Sequence, residues 1–248
     1  MIPKIIHYCW LSNDPFPNEI QQCIDSWKKI LPDYEFIKWD TKRFDINSVP
    51  YVKEAFKAKK YAFCADYIRI YALYNYGGIY LDSDVMVYQS FEPFLKLKGF
   101  SSVEFHSYLL YANVTDKRRR LVGIEAAVLG AEKESQWLKD ILDYYAGQHF
   151  SLKPKVLKNN IMPRLIARVL HENYGFRYFP IFQKLSNGME IYPAEVFSSK
   201  SADGTPIKYT SHLGANSWQI PSKRNKIRSI LEKLHLLTFV RRLRGIEH

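Results

Sequence analysis

The sequence predicts an α/β fold around a central, mostly parallel sheet. Three observations carry that expectation. Short apolar runs of strand length alternate with longer segments whose apolar residues recur at helical spacing; Pro and Gly punctuate the joints between them; and 47% of the 248 residues are hydrophobic, enough for a sizeable core.

The elements run in this order. Ile5 to Leu11 is an apolar run that reads as a buried first strand. Pro15 and Pro17 mark a loop, and Asn18 is placed to cap a helix over Glu19 to Ile30, with Ile20, Cys23, Ile24 and Trp27 on one face. Tyr34 to Trp39 alternates like a strand. Tyr51 to Tyr76 reads as one or two helices, ended by Gly77-Gly78. Ile79 to Leu81 is a short strand that stops at Asp82, and Val85 to Tyr88 resumes extended structure. Farther on, Gly123 to Ala131 reads as a buried strand, Ser135 to Tyr145 and Met162 to Tyr174 as helices, and Glu190 to Phe197 as an extended strand. No internal repeat or linker interrupts the chain, so one domain over residues 1–222 and a basic tail over residues 223–248 describe it economically.

Composition narrows the function. Charged residues at 25% exclude wholesale disorder. Aromatics at 15% suit either a stacking cleft or an aromatic core. The net charge of +11 attracts anionic partners, and more than half of it comes from the tail, which holds eight Lys/Arg against two Glu. Cys9, Cys23 and Cys64 lack metal-site spacing and read as free thiols of a reducing compartment. With neither a secretory signal nor an apolar span, the expected location is cytoplasmic.

The chemistry concentrates in AFCADYIRIYALYNYGGIYLDSDVMV, residues 62–87. Asp82 and Asp84 come directly after a short apolar strand, at the sheet edge where open α/β folds bind ligands. Two carboxylates there can converge on a hard divalent cation, which would neutralise a diphosphate. Asp66 and Arg69 share one helix face, either as a surface pair or as a clamp on a polar ligand. Two alternatives remain in view. LDSDVMV also looks like the D-x-D strand of HAD-type phosphohydrolases, but the distal acidic motif that chemistry needs is absent. A non-enzymatic basic membrane- or nucleic-acid-binding module would need an interleaved aromatic and basic patch outside the tail, and none is found, so nucleic acid is not an expected partner.

The order A-x-x-A-D-x-x-R…Y-x-x-G-G-I-Y-L-D-x-D resembles glycosyltransferase family 32, the group with a sugar-binding region containing DXD, and more distantly the large clostridial glucosylating toxins. The opening IPKIIHYCWL and the segment from Cys23 to Asp40 extend the likeness over residues 1–98; it resumes at Gly123 to Tyr145 and Tyr209 to Gln219. The resemblance implies a GT-A fold and a metal-dependent, retaining transfer of a hexose from a nucleotide-sugar to a glycan or lipid-linked acceptor, as in surface polysaccharide synthesis. It implies Mn²⁺ or Mg²⁺ held with the donor diphosphate by Asp82 and Asp84, with Asp82 also reaching the ribose. Asp66 and Arg69 would contact donor sugar hydroxyls and phosphate, and Trp10 would stack on the base. His212 would be a third metal ligand, and the loop of Asn216, Ser217 and Trp218 would close over the diphosphate, although Leu213-Gly214 departs from the family pattern. A UDP-hexose is the expected donor, galactose first.

Three further features are read from the residues themselves. Glu125 is the one acid near a position that could face the sugar, and an exposed residue at a strand start is its simpler reading. Lys117 to Arg120 reads as a solvated loop, with contact to an anionic acceptor as the alternative. In the tail, Ile227, Ile230, Leu231, Leu234 and Leu237 recur at helical spacing among basic residues, the pattern of an amphipathic helix that either lies on an anionic membrane, here the inner face, or packs on the domain or a partner.

Overall fold

The computed structural model describes residues 1–12, 14–104, 122–153, 156, 161–198 and 208–214, all within one unit spanning Met1–Ala215. The basic tail, Lys117 to Arg120, Ser217 and Trp218 lie outside the described residues.

The first half builds three parallel strands: β1 (Ile5–Cys9), β2 (Glu35–Trp39) and β3 (Gly78–Leu81). Helix α1 (Asn18–Ile30) connects β1 to β2, while α2 (Pro50–Lys57) and α3 (Tyr61–Tyr76) connect β2 to β3. After β4 (Val85–Val87), a 3₁₀ turn (Glu92–Phe94), β5 (Gly99–Glu104), β6 (Gly123–Ile124) and β7 (Val128–Ala131) come α4 (Gln136–Tyr145) and α5 (Met162–Tyr174). The chain continues through β8 (Gln183–Lys184), β9 (Met189–Tyr192), the short α6 (Ala194–Phe197) and β10 (Thr210–His212). The main sheet runs β2-β1-β3-β7-β5-β9-β8, with β6 paired to β5. Its β1-β2, β1-β3 and β5-β9 ladders are parallel, and β7 is antiparallel to both β3 and β5.

Alternation along the strands divides the core between the two sheet faces. Ile79 and Leu81 enter the layer that holds α1 and an aromatic cluster of Phe91, Phe94, Phe100 and Phe197; Tyr80 enters the layer that holds α2 to α5. Much of the aromatic excess is therefore core.

The α3-β3 junction positions the site. Gly77 has φ +66°, and a Cβ there would lie 2.8 Å from the Lys133 amide nitrogen. Gly78 has φ +104°, and a Cβ there would lie 2.7 Å from the Ile5 carbonyl. Only glycine lets the chain leave the helix and pair at once with β1. His7, fully buried beside this turn, accepts from Trp39 Nε1 (3.1 Å) through Nδ1 and donates from Nε2 to the Gly77 carbonyl (2.8 Å). Burial lowers its pKa to about 4, so it is a neutral structural bridge.

Three local expectations change. Pro17, not Asn18, stands at the N-cap of α1, and Asn18 is its first helical residue with no side-chain cap bond, because the fixed φ of proline already sets the entry. Gly123 to Ala131 is broken into β6 and β7 by a turn at Glu125 to Ala127. Glu190 to Phe197 is a strand that ends at Tyr192; Pro193 then starts the helical turn α6, since its ring blocks continued pairing.

Candidate functional site

Asp82 and Asp84 sit on the turn between β3 and β4. The Asp82 amide donates to the Ala127 carbonyl (2.9 Å), and the Val85 amide returns to the Asp82 carbonyl (3.0 Å). Strand β4 then leaves the main sheet and pairs antiparallel with β10, with His212 opposite Val85. That pairing brings His212 to the aspartates from the far end of the described chain. One ligand atom each from Asp82, Asp84 and His212 lie within 4.8 Å of one another, the only such cluster of potential metal ligands among the described residues. Two carboxylates and an imidazole are a donor set that fits Mn²⁺ or Mg²⁺.

Arg69 reaches this edge from α3. Its side chain is buried, its Nη2 lies 2.9 Å from Asp66 Oδ1 and 3.3 Å from Asp82 Oδ1, and Nη1 donates to the Ala126 carbonyl (2.6 Å). The guanidinium stacks 4.7 Å from the Tyr80 ring, whose hydroxyl donates to Asp82 Oδ1 (3.0 Å). The reading of Asp66 and Arg69 as a solvated surface pair is therefore incorrect, because α3 packs on the sheet with this face inward. Burial raises the Asp66 pKa to about 6 against the pull of Arg69. Burial likewise raises that of Asp82, with Arg69 opposing.

Behind His212 stands Glu125, on the β6-β7 turn. It is 4% exposed, which overturns its reading as a surface residue. Its Oε1 lies 3.5 Å from His212 Nδ1 and accepts from the Ala127 amide (3.0 Å), and its Oε2 accepts from Ser198 Oγ (2.5 Å). Desolvation opposes its ionisation, yet His212, Ser198 and the Ala127 amide outweigh it and lower the pKa. His212 Nε2 lies 3.3 Å from Asp84 Oδ1. Burial would lower the pKa of His212, but the two carboxylates raise it to about 11. Without a cation this imidazole is protonated, and a metal must displace that proton. A lone acid inside the apolar run GIEAAVLGA was the available sequence signal for Glu125, since a buried carboxylate needs partners. Ser198 carried no such signal.

Trp10 comes directly after β1, beside the end of β3. Its ring packs edge-on against Phe16 (4.9 Å), and Nε1 donates to the Asp14 carbonyl (2.9 Å). It walls a cleft of about 330 Å³ completed by residues including Pro15, Phe16, Lys38, Asp40 and Thr41. The cleft, Asp82 and Arg69 thus share the C-terminal edge of the parallel strands.

Residues 17–101, the segment that supplies α1 to β5 and both aspartates, match the family described as "Glycosyltransferase sugar-binding region containing DXD motif". The chain carries a DXD glycosyltransferase region. The chain is 35% identical over 101 residues to inositol phosphoceramide mannosyltransferase 3 of Schizosaccharomyces pombe and 35% identical over 108 residues to mannosyl phosphorylinositol ceramide synthase CSH1 of Saccharomyces cerevisiae. Those matches cover 38% and 40% of this chain but 27% of either yeast protein. An uncharacterized glycosyltransferase, L373, of Acanthamoeba polyphaga mimivirus is 32% identical over 129 residues, half of each chain. Among solved structures, the PaToxG glycosyltransferase superposes with a TM-score of 0.50 at 18% identity, covering 69% of both chains. The described part of the chain thus has a GT-A-like fold.

Proposed function

We propose that the protein transfers a hexose from a nucleoside diphosphate sugar to a hydroxyl of a glycan or lipid-linked acceptor, with retention of configuration. The observation that carries this reading is the convergence of Asp82, Asp84 and His212 beside the buried Arg69 at the C-terminal sheet edge. A divalent cation held by the three ligands, Mn²⁺ or Mg²⁺, would stabilise the negative charge that builds on the departing diphosphate. Arg69 holds Asp82 in place and brings a permanent positive charge to that edge. Asp66 presents a carboxylate for donor hydroxyls, and Trp10 and its cleft take the base. Ser217 and Trp218 are taken as further donor-binding residues.

The yeast relatives are named for mannosyl transfer to inositol phosphoceramides. On that ground mannose joins galactose at the head of the donor panel, and a lipid acceptor is favoured over a free glycan. We further place the protein on the cytoplasmic side of a membrane, held there by the basic tail of residues 223–248. The test is nucleotide release from a panel of UDP- and GDP-sugars, with Mn²⁺ and then with EDTA. Metal-dependent release from one donor supports the reading, whereas release unaffected by EDTA, or from no donor, rejects it.

A further inference from the structure

The loop between α5 and β8 has the build of a surface anchor. Residues 178–182 read Tyr-Phe-Pro-Ile-Phe, and three of their side chains face solvent: Phe179 is 45% exposed, Ile181 58% and Phe182 50%. Apolar side chains of this size concentrated in one turn are unusual on a water-facing surface. The loop is held in shape by polar bonds at its base. The Gln183 side chain accepts from the Arg177 amide (2.8 Å) and donates to the carbonyls of Arg177 (2.9 Å) and Phe179 (3.2 Å). The Phe179 amide donates to the Arg177 carbonyl (2.7 Å). Gln183 thus satisfies the backbone inside the turn and leaves the apolar side chains pointing out. Arg177 and Lys184, both exposed, flank the apolar group; Lys184 Nζ lies 3.6 Å from Glu190 Oε1, so the net positive charge of the rim rests on Arg177.

Register fixes where this loop lies. Leu81 pairs with Val128, Ser102 with Tyr192, and Gln183 with Ile191, so Phe182 falls opposite Tyr192, whose ring is 5.3 Å away. Strand direction then places the loop on the same sheet edge as Asp82, four strand spacings or about 19 Å along it.

We propose that residues 178–182 insert into the interface of an anionic phospholipid bilayer, with Arg177 and Lys184 at the headgroups. An apolar tip within a basic rim is what such an interface accepts. The membrane would then lie along the edge that carries the aspartates, within reach of an acceptor embedded in it. This bears on the acceptor side of the proposed reaction; its test uses no donor, so either can fail without the other.

The three native cysteines are buried, so an introduced exposed one can be labelled selectively. Ile181→Cys would carry an environment-sensitive fluorophore in the full chain. Ser186→Cys, in the exposed turn at the opposite end of the β8-β9 hairpin, serves as the control. Phosphatidylcholine vesicles with phosphatidylglycerol should shift the Ile181→Cys label to the blue and leave the Ser186→Cys label unchanged. In roughly 1 M salt, where attraction to the basic tail is screened, the unlabelled Phe179→Ser/Phe182→Ser chain should partition roughly tenfold or more weaker than wild type. A label at Ile181→Cys that does not respond, equal responses at both sites, or wild-type partitioning of the double variant would overturn the proposal.

Discussion

Replacing Arg69 by Met tests the buried charge arrangement at the heart of the site. The native side chain touches two carboxylates and two backbone carbonyls from a position only 4% exposed to solvent. Met fills much of the volume but leaves Asp66 and Asp82 facing each other without a cation. Removing one member of a buried ionic cluster costs about 3–5 kcal/mol, because the remaining charge is stranded. For a unit of this size each kcal/mol moves the melting temperature by about 2–4 °C, so the fall should be about 6–20 °C. Calorimetry of the metal-free protein at pH 7.5 measures it directly. Adding Asp66→Asn to the variant should recover part of the loss, since it removes one stranded charge. Lowering the pH to 5 should also shrink the deficit as Asp66 takes up a proton. A melting temperature within about 2 °C of wild type, or a double variant less stable than Arg69→Met, would show that Arg69 does not compensate the two carboxylates.

The same geometry has other consequences. The Asp66 pKa in the folded chain, about 6, lies above its ordinary value of 3.8. The folded state therefore binds more protons between those values, and stability falls as pH rises from about 4 to 6, by about 2–3 kcal/mol for this group. Denaturant titrations of wild type and Asp66→Asn across that window should show the difference shrinking or reversing with pH. Glu125→Ala should destabilise the chain by about 1–3 kcal/mol through the orphaned Ser198 hydroxyl and Ala127 amide. It should also weaken Mn²⁺ binding about 10–100-fold by freeing the His212 ring, read by calorimetry. Mn²⁺ titrations in buffers of different ionisation enthalpy should show release of about one proton per cation at pH 7.5, from the imidazolium between Asp84 and Glu125. Trp10→Ala should raise KM for the donor while leaving the metal affinity unchanged, measured by steady-state kinetics and by Mn²⁺ titration.

The sequence made the first half of the fold legible because its signals are local. β1 and β3 are short apolar runs, β2 alternates polar and apolar residues, and Gly77-Gly78 marks the point where α3 must stop for β3 to pair with β1. The aspartate pair was visible for the same reason: both acids sit two residues apart at the end of one strand. Long-range packing hid the rest. The lone acid in GIEAAVLGA hinted that Glu125 is buried, but the run could not show which groups compensate it, because besides the Ala127 amide its partners come from β10 and from the end of α6. Helical spacing put Asp66 and Arg69 on one face but could not say whether that face meets solvent or the sheet. The pairing of β10 with β4, which delivers His212 to Asp84, joins two strands of three residues each, too short to register as periodic patterns. His212 was reached through family resemblance instead.

In the proposed reaction Asp82, Asp84 and His212 hold a divalent cation that binds a nucleoside diphosphate. Calorimetric titration of UDP and GDP into the protein with Mn²⁺, repeated in EDTA and with Asp84→Asn, tests it most directly. Binding of one nucleotide that requires Mn²⁺ and is lost in Asp84→Asn is the predicted result. Nucleotide binding of equal strength in EDTA, or undiminished in the variant, would contradict it.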